Sequence, residues 1–138
     1  MIVSRLALAA LVVFANGCQV TTTHSPPGLA DAVLLRSSAV RVWDVVEAAS
    51  IAGFVVRFEE PGHNGRAWFS VRNPSSQEIG IVDVDGRAWR YRPHQREPEW
   101  LGSGTVAAGA SRILGTGSDA KLVEVAIEAV AERVASDD

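Results

Sequence analysis

Cysteine, lysine, methionine and tyrosine each occur once in these 138 residues, and histidine three times. A lone thiol closes no internal disulfide, so Cys18 is not a structural staple. Zinc needs several convergent nitrogen or sulfur ligands, and His24, His63 and His94 share no metal-ligand spacing. Neither a metal nor any other cofactor is expected. The apolar run Leu6–Ala15 is ten residues long, against the roughly 20 that cross a bilayer as a helix. Neither sign of charge dominates: the formal net charge is −3, which supplies no global attraction to nucleic acid.

Reaction motifs are scarce as well. Gly102-Ser103-Gly104 lacks the glycine two positions before a nucleophile-elbow serine, and no lysine follows it as in a phosphate-binding loop. Asp83-Val84-Asp85-Gly86 begins like a calcium loop, but the twelfth position holds His94 where a bidentate glutamate is needed. The expected role of Asp85-Gly86 is a tight hairpin turn. Glu59, Glu60, Glu97 and Glu99 could serve acid–base chemistry only if the fold made them converge.

What is present begins with Arg5, ahead of the Leu6–Ala15 run, the layout of an export signal's charged and apolar regions. Small residues follow, then Cys18. Ala15-Asn16-Gly17-Cys18 resembles the lipobox of bacterial lipoproteins, departing from the usual pattern at Ala15 and Asn16. The resemblance covers residues 1–18 only. It implies removal of residues 1–17, diacylglyceryl on the Cys18 sulfur and acylation of the new amino terminus. Two or three such chains hold a protein stably at a membrane, whereas one holds weakly. Gln19, rather than Asp, implies sorting to the outer membrane in an organism that has one. Ala15 and Gly17 also suit the ordinary signal peptidase, which would release a soluble secreted or periplasmic chain beginning at Cys18.

The expected organisation is a signal peptide (1–17), a lipidated cysteine with a polar, proline-containing tether (18–28), and a single α+β domain (29–138). Leu29 to Arg36 allows one or two helical turns. Between Ala39 and Pro93, alternating apolar residues broken by Gly, Pro, Asn, Asp and Ser predict a five-stranded antiparallel meander. Helices are expected over 105–114 and from Ser118 to about Val134, both packed on one face of the sheet. The Trp43 and Trp68 segments echo each other weakly, as paired hairpins would. Val40, Val42, Trp68 and Val71 are candidate core.

Arg87-Ala-Trp-Arg-Tyr-Arg-Pro-His94 concentrates charge and aromatics. Strand alternation puts Arg87, Trp89 and Tyr91 on one face and Arg90, Arg92 and His94 on the other. If the first set faces the core, the second forms a candidate anion-binding face, since guanidinium forks match phosphate oxygens. The alternative is a solvated face whose arginines pair with Glu97 or Glu99. Trp100 ends a polar loop and is expected either to plug the sheet–helix junction or to bind a partner. These observations lead to a non-enzymatic binding or structural module, lipid-anchored in the cell envelope and acting at the membrane surface, with an envelope protein or anionic lipid as the partner. An envelope hydrolase with carboxylates converging in the fold and an anionic-lipid headgroup binder are the alternatives.

Overall fold

The computed structural model describes residues 27–62 and 66–137. The export signal, Cys18, most of the tether, His24 and His63 lie outside the described residues. Within them the chain forms a mixed α+β structure around one antiparallel sheet. Helix α1 (Pro27–Ser38) leads directly into strand β1 (Ala39–Glu47), followed by β2 (Ser50–Glu59), β3 (Ala67–Arg72), β4 (Glu78–Asp83), β5 (Arg87–Arg90) and β6 (Glu99–Ser103). Helix α2 (Val106–Leu114), strand β7 (Lys121–Val125) and helix α3 (Ile127–Ser136) complete it. The sheet order is β6-β5-β4-β3-β2-β1-β7, with every neighbour antiparallel.

The meander is present, but the sheet has seven strands rather than five. Residues 99–103, expected to end a loop and enter a helix, pair with β5 and form an edge. Residues 121–125, expected inside the last helix, form the opposite edge against β1. The sequence Lys-Leu-Val-Glu-Val fits both a helical stripe and a strand; pairing with the exposed edge of β1 decides for the strand. Helix α3 is correspondingly short.

The helices occupy both faces rather than one. Ala32 and Leu35 of α1 and Val130, Ala131 and Val134 of α3 bury Val42, Phe54, Val56 and Phe58. On the opposite face, Ala110 and Ile113 of α2 bury Val45, Val55, Val71, Val82 and Ala88. The parity of β2 separates the two cores: Phe54, Val56 and Phe58 point one way and Val55 the other. Trp43 pairs with Val55 whereas Trp68 pairs with Phe58. The two tryptophans therefore lie on opposite faces, and the sequence echo corresponds to no structural repeat.

Most turns follow local chemistry, with one clear exception; Ser76 and His94 are further non-glycine residues at positive φ. Gly86 has φ +81°, and a Cβ there would lie 1.7 Å from the Gly104 carbonyl oxygen, so only glycine fits. Gly86 alone takes the left-handed conformation in this hairpin, with Asp83 Oδ1 accepting from the Asp85 and Arg87 amides. Thr105 caps α2 by accepting from the Ala108 amide, and left-handed Gly115 ends it. The exception is Ala48-Ala49 between β1 and β2, a two-residue loop with φ of 47° and 64°. Both values belong to a type I′ turn, where Asn-Gly is the unstrained choice.

Candidate binding surface

A single cross-strand row traverses one face of the sheet: Val125, Val42, Val56, Ser70, Ile81, Trp89 and Trp100, each paired with the next. Its first three residues lie beneath α1 and α3. Its last three lie beneath none of the described helices. Asp31 of α1 approaches Arg72 of β3 at 3.8 Å, and Leu34 and Ser38 stand over Phe58 and Trp68. Helix α1 thus runs along β2 and the near side of β3, leaving β4–β6 open. Trp68, Ile81, Trp89, Tyr91 and Trp100 share this half-face; Ile81 and Trp89 are half-buried, Trp68 and Tyr91 exposed, and Trp100 is 64% exposed.

Where the flank of α1 meets the open sheet there is a groove of about 620 Å³, lined by Leu34, Ser38, Phe58, Trp68, Arg72 and Glu78 among others. Its floor is a buried polar network. Arg72 is 6% exposed; its Nε donates to Ser70 Oγ at 3.0 Å and its Nη1 to the Ser76 carbonyl at 3.0 Å. Ser70 Oγ in turn donates to Glu78 Oε2 at 2.5 Å. The guanidinium also lies 5.9 Å from the Phe58 ring centroid and 4.0 Å from Glu78. Ser76 adopts a left-handed conformation (φ 65°) and is itself buried. Burial, and then the neighbouring Glu78 carboxylate, push the Tyr91 phenol above its ordinary pKa. The strand register places Glu78 on the Arg72 side because a bulge at the Val71–Arg72 step shifts the pairing from Gly80 to Glu78.

The other face also has a half that α2 does not cover, and there the chain supplies its own polar cover. Arg57 lies 6.0 Å from the Phe69 ring and pairs with Glu59 at 3.1 Å, while Arg41 pairs with Glu124 at 3.2 Å. Those charged arms lie across Trp43 and Phe69, which pack at 6.0 Å. Among the described residues the Trp89–Trp100 field has no such covering. Arg87, the cation sharing its strand face, is held toward the hairpin turn by Asp85 at 3.9 Å.

The residues expected to grip an anion are placed differently. Arg90 and Arg92 both donate to Glu99 Oε2, at 3.0 and 2.6 Å. Hydrogen bonds first from Arg92 and then from Arg90 lower the Glu99 pKa to about 2. One carboxylate thus engages both guanidinium groups, and His94 stands apart in an exposed turn with φ 68°. The condition for that face was a core position for Trp89 and Tyr91; both point instead to the bare half-face, with Tyr91 exposed. Trp100 does not plug the sheet–helix junction. It projects from edge strand β6 on the face opposite α2. Val42 and Val71 are core as expected, whereas Val40 and Trp68 are exposed. The carboxylates are not brought together: Glu59 ends β2, and Glu99 starts β6 at the opposite end of the sheet. Among the described residues no three His, Cys, Asp or Glu side chains cluster to hold a metal ion.

Arg72, Ser70, Ser76, Trp68 and Ile81 were not identified as a site from the sequence, because the groove depends on where α1 stops covering the sheet. The available signal was the pair Trp89 and Trp100, each flanked by charge. No protein-family model, curated protein or solved structure matches this chain.

Proposed function

We propose that this protein is a non-enzymatic binding or structural module of the cell envelope, lipid-anchored through Cys18, that buries its bare half-face against a helix of a protein partner. The observation that carries the reading is the open row Ile81, Trp89 and Trp100 beside the groove at Trp68 and Arg72. Tryptophan is enriched among residues that dominate binding energy, and a contiguous exposed aromatic field marks an interaction surface. The surface geometry favours a helix over a bilayer. Helix α1 rises about 10 Å above the sheet, one helix diameter, so a flat membrane touching α1 could not reach Trp89 or Trp100.

The reading is tested on the full chain expressed with its own export signal. Intact mass of the membrane-purified protein is expected to begin at Cys18 and include diacylglyceryl and acyl chains, all lost in Cys18→Ala. Oxidative footprinting is expected to protect Trp89 and Trp100 in native membranes and to label them after dissociating solubilisation. An unmodified chain beginning at Cys18 overturns the anchor. Equal labelling of both tryptophans in both states overturns the binding surface.

A further inference from the structure

The side of the molecule that carries the bare half-face also carries a helix surface with no partner among the described residues. The sequence of α1, Pro-Gly-Leu-Ala-Asp-Ala-Val-Leu-Leu-Arg-Ser-Ser, has its two charges on its flanks: Asp31 faces Arg72, and Arg36 is held by Glu128 at 2.7 Å. The surface turned away from the sheet is Ala30, Val33 and Ser37, bordered by Leu29 and Leu34, and contains no charge. Val33 is 56% exposed. A helix with apolar residues around its circumference is ordinarily enclosed on more than one side. The outward surface of α3 differs, carrying Glu128 and Glu132.

From these two surfaces we infer that the occupant of the bare half-face is α1 of a second copy of this chain, in a two-fold dimer that sandwiches the helices between two sheets. This rests on the reading above and names the partner. Strands lie about 4.8 Å apart, so β4–β6 offer a width of roughly 10–14 Å, enough for one helix about 10 Å across. Each copy therefore has a step: a helix layer over one half of the sheet and a helix-wide gap over the other. Turning one copy by 180° about an axis parallel to the strands fits each step into the other. The ridge Ala30, Val33 and Ser37 of one copy then lies on Ile81, Trp89 and Trp100 of its partner. Leu34, on the flank facing the gap, meets its own symmetry mate near the axis, as an isologous interface requires.

Three further features agree with this symmetry. The charged outer surface of α3 falls beyond the partner's β6 edge and stays in water. An axis along the strands keeps the two α1 helices parallel, so both Pro27 ends emerge on the same side, as two chains tethered to one membrane surface must. Lateral pairing through β6 is opposed, because Arg112 Nη1 donates to the Leu101 and Ser103 carbonyls, both at 3.4 Å. Face-to-face contact buries the tryptophans without using that edge. The α1 ridge is about 18 Å long, which makes the contact small for a stable dimer in solution. Confinement of both anchors to one surface raises the effective concentration.

Disulfide trapping in native membranes tests the arrangement, with the full chain carrying one introduced cysteine; Cys18 is consumed by lipidation in the proposed mature form. Leu34→Cys is expected to give a covalent homodimer on mild oxidation. Val33→Cys is expected to link to Ile81→Cys when two differently tagged copies are co-expressed. Ile51→Cys, exposed on the β1–β2 hairpin, is the control expected to stay monomeric. Ala30→Glu, which places charge on the ridge without touching the core, is expected to lower Leu34→Cys cross-linking at least tenfold. Absence of the Leu34→Cys homodimer, or equal cross-linking at Ile51→Cys, overturns the dimer. If Leu34→Cys joins a different protein while Trp89 and Trp100 remain protected, the second copy is rejected and the helix-binding surface stands. Absence of both cross-linking and protection removes both readings.

Discussion

Replacing Arg72 with methionine separates packing from charge at the floor of the groove. Methionine fills much of the arginine stem's volume but withdraws the donors to Ser70 and Ser76. Removing one partner of a buried ion pair costs about 3–5 kcal/mol. Here Asp31 and Glu78 retain 30% and 33% side-chain exposure, so water recovers part of that loss, and about 2 kcal/mol is the better figure. The Ser76 carbonyl loses its donor at a buried residue, adding about 1 kcal/mol. The sum, about 3 kcal/mol, corresponds to a fall in Tm of roughly 12 °C for a domain of this size. Urea unfolding of the protein, followed by far-UV circular dichroism, measures it. Arg72→Lys is expected to recover less than half, because a lysine point charge cannot reproduce the fork that reaches both serines. Hydrogen exchange should localise the damage, with α1 amides losing protection before those of β2. A loss below about 1 kcal/mol, or complete rescue by lysine, would falsify the account of Arg72 as the link between α1 and the sheet.

Three further outcomes are expected. Ala48→Asn with Ala49→Gly relieves two left-handed alanines and should stabilise the protein by about 1–2 kcal/mol; unchanged or reduced Tm contradicts the turn assignment. Gly115→Ala, at φ 71° with open space around it, should cost about 1 kcal/mol. Gly86→Ala should cost clearly more, because its added Cβ collides with the Gly104 backbone; equal losses in denaturant titrations of the two variants would sink that explanation. Glu99 should titrate near pH 2 by carboxyl NMR. Because its folded pKa lies below the ordinary value of 4.5, its stabilising pairing is complete above that pH and is lost as pH falls toward 2. Arg92→Ala should raise the midpoint, and an unchanged midpoint shows that the pairing is absent in solution.

The alternation over residues 39–93 made the meander legible because successive strand residues face opposite sides: one faces a helix while its neighbour faces water or the other core. The edge strands were less legible for different reasons. β6 comprises Glu-Trp-Leu-Gly-Ser, with Gly102 at φ 96° beside a register shift, and carries too few apolar residues to announce a strand. β7 uses residues equally suited to a helical stripe, and only its pairing with β1, some 80 positions away in sequence, resolves the ambiguity. Trp89, Tyr91 and Trp100 stood out chemically, but their exposure could not be read locally. It depends on α2 occupying the opposite face and α1 stopping at β3. Arg72 was masked by the same dependence, since nothing in Ser-Val-Arg-Asn distinguishes a buried guanidinium from a surface one.

The first and last elements of the described chain are completed by each other. β1 lies between β2 and β7, and the core formed by Ala32, Leu35 and Val42 closes only with Val130, Ala131 and Val134. During synthesis, that core cannot close until Val134 has left the ribosome. Helix α1 and strand β1 consequently remain unsealed until α3 is made. The described residues, arranged in this way, stay threadable until α3 emerges, and folding then locks their first and last elements in one step.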